Sequence, residues 1–310
     1  MTAVNLGRLL RFREAGLLVA LAALIIVLQL ASPAFLTWYN VSGILVNVSV
    51  IAISAVAMTM VIVTGGIDIS IGSILAIAAL LVGQSVKAGA GLGAINGALI
   101  AFGRLPAIIV TLATMSTYRG INFILSKGEW VTGLGSHFTI LGQESFLGLQ
   151  LPVWIMAGVA LAGWYFLNQT VFGRSIYATG SNPQGAYLAG VNIKSVLFLV
   201  YLISGILTGL AATVYTARFG LVQINTGIGY ELSVIAAVVI GGTNIMGGSG
   251  TIQGTILGAV FMGVISNALV LLRISPFWQG VVVGLLILSA VITDSKIRAS
   301  IVRAAALRRV

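Results

Sequence analysis

The sequence predicts an all-α fold: a polytopic membrane helix bundle of about ten transmembrane segments, with both termini in the cytoplasm. Of its 310 residues, 59% are hydrophobic and 7% are charged, whereas a soluble domain carries about 25% charged residues. Apolar runs close to the roughly 20 residues that cross a bilayer recur along the whole chain. The alternating segments of a membrane β-barrel do not occur. A water-exposed globular domain of this size is therefore excluded.

Ten apolar segments follow one another in what we interpret as a single domain, residues 1–310. The first is longer than the apolar core of a usual signal peptide and leads into further spans, which favours an uncleaved helix. The segments 90–103 and 231–242 are too short for a bilayer core of roughly 30 Å at 1.5 Å per residue. In chain order, the predicted segments are 16–34, 41–64, 69–86, 90–103, 106–126, 151–171, 195–217, 231–242, 251–272 and 276–293.

The distribution of basic residues supports this count and orientation, because cytoplasmic segments of membrane proteins are enriched in Lys and Arg. With the N-terminus inside, Lys87, Lys127, Arg218 and Arg273 fall outside, and Arg119 lies within a span. Half of the sixteen basic residues lie at the two chain ends, including a tail at 295–310, which argues against a nucleic-acid surface. The cytoplasmic set comprises Arg8, Arg11, Arg13, Arg104, Arg174, Lys194, Lys296, Arg298, Arg303, Arg308 and Arg309.

Several chemistries are excluded by residue content. The chain has no cysteine and one histidine, His137, which removes disulfides, thiolate metal sites, iron–sulfur clusters and Cys/His catalysis. No G-x-x-x-x-G-K-[ST] stretch is present, so the chain does not hydrolyse nucleotide by a P-loop. No metal site and no cofactor are expected in this chain.

Two glycine-rich stretches interrupt the apolar pattern: "VTGGIDISIGS" (63–73) and "GGTNIMGGSG" (241–250). Irregular backbone at membrane depth is tolerated where it is buried in protein or lines a cavity, and such breaks point to transport sites. We interpret their glycines as hinges: Gly65, Gly66, Gly241, Gly242, Gly247 and Gly248.

Asp68 is the only charged residue between Glu14 and Lys87, and two interpretations of it stay open. As an N-cap, it would satisfy free N–H groups of a helix that opens at Ile69. As part of a polar site beside the pathway, it would act with the hydroxyls of Ser70 and Ser73. Both roles can hold together.

Four stretches resemble the permease subunits of bacterial ABC importers for simple sugars, of which the ribose, rhamnose and autoinducer-2 importers are known relatives. They are "GGIDISIGS" (65–73), "RLPAIIVTLATMSTYRGI" (104–121), "FGRSIYATGSNPQGAYLAGV" (172–191) and "GYELSVIAAVVIGGTNIMGGSGTIQGTILGA" (229–259). The chain departs from the pattern at "KAGAGL" (87–92), where such permeases carry a full helix, so the fourth span looks cut to roughly half.

The resemblance implies a non-catalytic permease subunit in the bacterial inner membrane that forms the translocation pathway for a monosaccharide or an autoinducer-2-like sugar. The implied partners are an ABC ATPase subunit, a periplasmic sugar-binding protein, a second permease subunit of the same or a different kind, and the lipid bilayer. ATP and Mg²⁺ would then be bound by the partner ATPase.

The loop 172–194 is the predicted contact with the ATPase. Ser181 or Asn182 can cap a short helix, Pro183–Ala189, with Pro183 at its first position and Gly190 after its end. An ordinary capped loop helix is the alternative. The predicted coupling residues are Arg174, Asn182, Pro183, Gln184, Gly185, Ala186 and Tyr187.

An uncharged sugar needs hydroxyls and amides more than charges along its pathway. Arg119 either extends outward to the membrane surface or joins an ion pair or the pore lining. Glu231 opens the short eighth span, where a carboxylate complements the helix dipole. The predicted pathway set is Asp68, Ser70, Ser73, Asn96, Thr111, Thr114, Arg119, Glu231, Thr243, Asn244 and Asn267.

Three other functions have sequence requirements that differ from those of an importer permease. An ion-coupled secondary transporter usually needs a titratable group at mid-membrane, and no acidic residue is predicted there. A membrane enzyme would need a clustered nucleophile and base or a metal set, which one His137 in a predicted outer loop does not provide. A permease for branched-chain amino acids is a related type with a charged substrate, and sequence motifs distinguish it less clearly from a sugar permease.

Overall fold

A computed structural model describes residues 3–133, 136–275 and 277–307. This part of the chain folds into thirteen helices and one two-residue hairpin, β1 (Ser145–Phe146) with β2 (Leu149–Gln150). The helices, α1 to α13 in chain order, are Ala3–Ala31, Trp38–Val63, Ile71–Leu80, Ser85–Ala101, Ala107–Ser126, Ser136–Gln143, Leu151–Gln169, Val171–Ser181, Pro183–Leu188, Ile193–Phe219, Tyr230–Ile240, Ile252–Leu271 and Trp278–Leu307.

The all-α membrane bundle is confirmed. Six described helices are long and apolar enough to cross a bilayer, and three shorter helices are also apolar. Each of the ten predicted segments overlaps one helix, while α6, α8 and α9 lie between them. Arg308 and Arg309 of the predicted basic tail lie outside the described residues.

The boundary between the third and fourth predicted segments is wrong. α3 has only 10 residues and ends at Leu80 instead of 86, whereas α4 begins at Ser85 and has 17 residues. The helix stops because Leu81 leaves helical backbone geometry (φ −88°, ψ 59°) and Gly83 adopts φ +82°. The shortest predicted spans are therefore α3 and α11, at 10 and 11 residues.

The centre of the bundle is α2, which is continuously buried from Ala52 to Val63. The helices α7, α10, α11 and α12 pack around it. Apolar side chains on the outer helices point away from this core: Leu30 of α1 is 82% exposed and Ile124 of α5 is 77% exposed. Such an apolar surface would promote aggregation in water, but it is suited to contact with lipid.

α4 and α10 approach each other closely through facing glycines. A Cβ placed on Gly205 would collide with the carbonyl oxygen of Gly89, and one on Gly209 would collide with that of Ser85. The sequence places small residues four apart on both helices, which lets two backbones approach where no hydrophobic force drives association.

Replacing Gly205 by Ala is expected to destabilise the protein, because the obstructing atom is a backbone carbonyl that cannot rotate away. Overpacking typically costs about 1–3 kcal/mol. Gly158→Ala is the matched control, since a Cβ on that helical glycine meets no atom within 4 Å. The thermal unfolding midpoint of the purified protein in detergent should fall for Gly205→Ala only. Equal midpoints would contradict the close α4–α10 contact.

Candidate functional site

The break after α2 carries a fully buried carboxylate. The backbone leaves the helix at Thr64, turns at Gly65 (φ +85°), and re-enters helical geometry at Ile71. One oxygen of Asp68, Oδ1, accepts hydrogen bonds from the Ser70 backbone N–H (3.1 Å) and the Ser70 hydroxyl (2.6 Å). The other, Oδ2, accepts from the Ser204 hydroxyl of α10 at 3.0 Å.

The prediction that Asp68 caps a helix opening at Ile69 is wrong. α3 begins two residues later, its N-cap is Ser70, and that residue makes no side-chain cap bond. Asp68 instead binds Ser70 two residues ahead, a local turn that Asp side chains favour. Of the alternative interpretation, a polar site with the hydroxyls of Ser70 and Ser73, the Ser70 contact is present, whereas Ser73 binds the Ser70 carbonyl instead. Its place beside the pathway stays a prediction.

The cluster reaches four elements of the fold. The amide Nδ2 of Asn96 in α4 donates to the Ser70 hydroxyl at 2.7 Å. The hydroxyl of Tyr118 in α5 donates to Asn96 Oδ1 (3.3 Å) and to the Leu92 carbonyl (3.1 Å). We call Asp68, Ser70, Asn96, Tyr118 and Ser204 the Asp68 cluster. Because its members come from the break, α4, α5 and α10, the cluster fixes where α3 starts relative to three other helices.

A second polar contact lies on the other side of α3. Arg119 Nη2 of α5 lies 4.0 Å from Glu231 Oε2 in the first turn of α11, and 3.5 Å from the Gly227 carbonyl oxygen. Gly72 of α3 packs directly against Glu231 and Gly227, where a Cβ would collide with both. Arg119 thus lies at ion-pair distance from Glu231 but makes no hydrogen bond to Glu231 Oε2 among the described residues, and its extension to the membrane surface stays a prediction.

The remaining predicted pathway residues do not gather at one place. Thr111 Oγ1 donates to the Ile67 carbonyl at 3.1 Å and so ties α5 to the break. Ser73 and Thr114 bind backbone carbonyls three or four residues earlier in their own segments. Asn267 pairs with Asn40 of α2, at 2.7 and 3.1 Å, away from the Asp68 cluster.

The second glycine-rich break, residues 241–250, contacts the first, residues 63–73. The N–H of Gly248 donates to the Val63 carbonyl at 2.8 Å, and a Cβ on Gly247 would lie 2.9 Å from the Gly65 nitrogen. Within this loop, Asn244 accepts from the Met246 N–H (3.0 Å) and donates to the Gly247 carbonyl (2.6 Å). Thr243 is buried and its hydroxyl has no hydrogen-bond partner.

The six predicted hinge glycines serve two purposes. Gly65, Gly242, Gly247 and Gly248 have φ between +79° and +93°, a region that favours glycine. Gly66 and Gly241 do not, but they allow close approach: a Cβ would lie 2.5 Å from the Tyr201 hydroxyl at Gly66, and would collide with the Gly254 carbonyl at Gly241.

A helix that the sequence analysis did not predict, α8, packs against both breaks. A Cβ on Gly180 would collide with the Val63 carbonyl and lie 2.8 Å from the Gly248 nitrogen. The hydroxyl of Tyr177 donates to the Gly250 carbonyl at 2.8 Å. Burial raises the pKa of Tyr177, so the hydroxyl stays protonated as a donor at neutral pH. Phe172 and Ile176, four residues apart, were an available signal for this amphipathic helix.

The short helix predicted in the loop 172–194 is confirmed as α9, which ends at Leu188 instead of Ala189. Asn182 accepts a hydrogen bond from the Gly185 N–H at 3.0 Å, and Pro183 occupies the first turn. After the helix, Gly190 adopts φ +84° and its N–H donates to the Tyr187 carbonyl at 3.0 Å. Ala186 is buried, whereas Gln184, Arg174 and Tyr187 are exposed.

Comparison with known proteins identifies the family. A family model described as "Branched-chain amino acid transport system / permease component" matches residues 40–291. The chain belongs to this permease family. It is accordingly a transport subunit and a multi-pass protein of the bacterial inner membrane.

Curated relatives cover nearly the whole permease. The ribose import permease of Escherichia coli strain K12 is 42% identical over 297 residues, which cover 90% of this chain and 92% of that protein. The ribose import permease of Bacillus subtilis strain 168 is 38% identical, covering 92% and 93%. The autoinducer-2 import system permease of Klebsiella pneumoniae is 34% identical, covering 95% and 90%. No solved structure matches.

The alignments also show that this permease is shorter than its relatives. In the first of them, 297 aligned positions contain about 279 residues of this chain, that is 90% of 310, so about 18 positions have no counterpart here. The expectation that the fourth span is cut to roughly half is wrong, because α4 has 17 residues and the short helix is α3, with 10.

Asp68→Ala is expected to lower the free energy of unfolding by about 3 kcal/mol, because it leaves the buried donors of Ser70 and Ser204 without an acceptor, at about 1–3 kcal/mol each. Asp68→Asn, which keeps a carbonyl acceptor, should lose less. Ser73→Ala is the control, since its buried hydroxyl binds only the carbonyl of Ser70. Thermal unfolding of the purified permease should show the largest loss of stability for Asp68→Ala, a smaller loss for Asp68→Asn and the smallest for Ser73→Ala. A larger loss for either of the other two variants than for Asp68→Ala would contradict the Asp68 cluster.

Proposed function

We propose that this permease forms the translocation pathway of an ATP-driven importer for a monosaccharide or an autoinducer-2-like sugar. The observation that carries the proposal is the identity of 34–42% to ribose and autoinducer-2 import permeases over nine tenths or more of the chain. The family description mentions branched-chain amino acids, but these relatives are sugar permeases, and they favour the sugar over the amino acid.

The proposed topology has about ten crossings with both termini in the cytoplasm. It is supported by the ten helices that overlap the predicted segments and by the bias of basic residues toward one side. In this topology, α8 and α9 lie in the cytoplasm, and the loop that holds α6 and the hairpin lies outside. A periplasmic binding protein would deliver the sugar to the outer side, and a second permease subunit would complete the pathway.

The ATPase would bind α9. Three features support this contact. The helix is held at both ends, by the Asn182 cap and the Gly190 turn. Two large side chains of the helix are mostly exposed, Tyr187 at 71% and Leu188 at 85%, so their surfaces are available to a partner. Since the sequence has no P-loop, ATP and Mg²⁺ are expected on the partner, and Gln184, Tyr187 and Arg174 are available to it.

Motion of α9 would reach the membrane through α8. The two helices are consecutive, because Asn182 both ends α8 and caps α9. At the other end of this unit, Gly180 and Tyr177 contact the two breaks. The Val63–Gly248 hydrogen bond joins the breaks to each other. A displacement of α9 would therefore act on α2, α3 and α11 together, which is the rigid-body type of motion that transporters use.

The pathway is proposed to run beside α3, between the Asp68 cluster and the Arg119–Glu231 pair. Ser70 of the Asp68 cluster is the N-cap of α3, and Glu231 packs against Gly72 of α3. The side chain of Arg119 retains 25% exposure. The hydroxyls, amide and guanidinium of the cluster and the pair provide the donors and acceptors that an uncharged sugar needs. Asn267, which pairs with Asn40, is a weaker candidate for this lining.

Uptake should depend on ATP in a reconstituted system. In proteoliposomes that contain the permease with its cognate ATPase and binding protein, labelled ribose or autoinducer-2 should accumulate when ATP is supplied on the ATPase side. Leucine should not accumulate, and an uncoupler should have no effect. Leucine uptake would instead favour an amino-acid permease, and ATP-independent, uncoupler-sensitive uptake would indicate a secondary transporter.

The cysteine-free sequence allows a direct test of the ATPase contact. A Gln184→Cys permease should react with a membrane-impermeant thiol reagent from the cytoplasmic side only, and bound ATPase should slow the reaction. The matched control is Gln143→Cys, which replaces an exposed glutamine in the proposed outer loop. It should react from the outside and be indifferent to the ATPase. Labelling of Gln184→Cys from outside would overturn the topology, and no protection by the ATPase would overturn the α9 contact.

A further inference from the structure

A cavity of about 480 Å³ opens where the first break, the end of α4 and the starts of α5 and α10 meet. One wall is the backbone of Thr64, Gly65 and Gly66. The connection from α4 to α5 and the first residues of α10 also line the cavity. Its size is within the usual range for small-molecule sites, roughly 300–1,000 Å³.

Two cations line this cavity, and no acidic residue does. Arg104 and Lys194 are both exposed, and neither takes part in an ion pair among the described side chains. Arg104 also holds a left-handed backbone conformation, φ +54°, which is uncommon for a non-glycine residue and clusters at functional sites. The carboxylate of Asp68, in the neighbouring break, is occupied by Ser70 and Ser204.

Two helix starts add to the positive potential of the cavity. Pro106 and Ala107 line it where α5 begins, and the N-cap Pro106 offers no side-chain acceptor to the first N–H groups. Ile193 and Lys194 line it where α10 begins. Helix N-termini favour anions because their N–H groups and their dipoles both point toward the negative charge.

The lining of the cavity includes a donor without an acceptor. Tyr201 of α10 is fully buried, and its hydroxyl has no hydrogen-bond partner in the part of the chain that the structure describes. The hydroxyl packs at Gly66, another wall residue, where a Cβ would lie only 2.5 Å away. A buried hydroxyl without a partner normally costs free energy, so a ligand atom that accepts its hydrogen bond would relieve this cost.

We propose that this cavity binds a phosphate group, with Arg104 and Lys194 as its cationic contacts, the first turns of α5 and α10 beside it, and the Tyr201 hydroxyl as a further donor. Phosphate is the anion whose geometry suits a guanidinium fork together with an ammonium group. It can come from the headgroup of an anionic phospholipid, for which basic pockets between membrane helices are a known type of site, or from free inorganic phosphate.

The test is a ligand titration of the purified permease in detergent, read by the thermal unfolding midpoint. The probes are phosphatidylglycerol, phosphatidylcholine and inorganic phosphate, each added separately. The test variant is Arg104→Asn with Lys194→Gln, because Asn tolerates the left-handed conformation at position 104. The control carries Lys127→Asn and Arg273→Asn, which remove the same charge at two exposed positions with φ +52° and +56°.

Phosphatidylglycerol should stabilise the unsubstituted and control proteins, and its apparent Kd should rise about 25-fold in the test variant, roughly five-fold for each cation. Phosphatidylcholine should bind more weakly. If inorganic phosphate shows the same variant dependence instead, the ligand is free phosphate. If no probe distinguishes the test variant from the control, the site is overturned.

Tyr201→Phe tests the contribution of the hydroxyl to anion binding separately from that of Arg104 and Lys194. The substitution removes only the oxygen, and the hydroxyl has no hydrogen-bond partner among the described residues, so the unfolding midpoint without ligand should stay the same or rise, because an unpaired buried hydroxyl costs free energy. The Kd for the active probe should rise about five-fold, the value of one ordinary hydrogen bond. An unchanged Kd would contradict the placement of the anion beside Tyr201.

Discussion

The last carbonyl of α2 is the point on which the arrangement of this permease depends. A helix leaves its final carbonyl groups without internal partners, and in a membrane protein such groups have to be satisfied within the protein. Val63 obtains its hydrogen bond from Gly248, almost two hundred residues later, and Gly180 packs against the same carbonyl. One backbone acceptor thus joins both breaks and the amphipathic helix α8.

This junction explains why glycines, and not larger residues, fill the breaks. Four of the six have positive φ, and others lie where a Cβ would collide with a backbone atom or the Tyr201 hydroxyl. The Gly248–Val63 hydrogen bond between the breaks joins two backbone groups, so it tolerates rotation of the attached helices better than interlocked side chains do. Rigid helices joined at such points can move as units.

Local sequence patterns predicted most of the fold, because helix length, polarity and capping are local properties. The ten apolar segments and the α9 helix with its Asn182 cap were found in this way. The Asp68 cluster was found only in part. Of the two hydroxyls expected beside Asp68, Ser70 is a member and Ser73 is not. Tyr118 and Ser204 were not expected, since Ser204 is separated from the carboxylate by 136 positions. α3 was predicted too long because the apolar run continues through Leu81 and Val82, although Gly83, which adopts φ +82°, was an available stop signal.

The shortness of α3 has a structural consequence for the whole domain. At 1.5 Å per residue, its 10 residues extend about 15 Å, half of a bilayer core. It therefore cannot be positioned by the bilayer thickness, as a full-length span would be. Its position is set instead by polar contacts from two sides, the Asp68 cluster at its start and the Glu231–Gly227 contact at Gly72. Each contact comes from a different set of helices, so a shift of α10 or α11 changes the position of α3 directly. A full-length span is also held by the lipid at both of its ends. A half-length helix is not, so it can follow the shift of its neighbours.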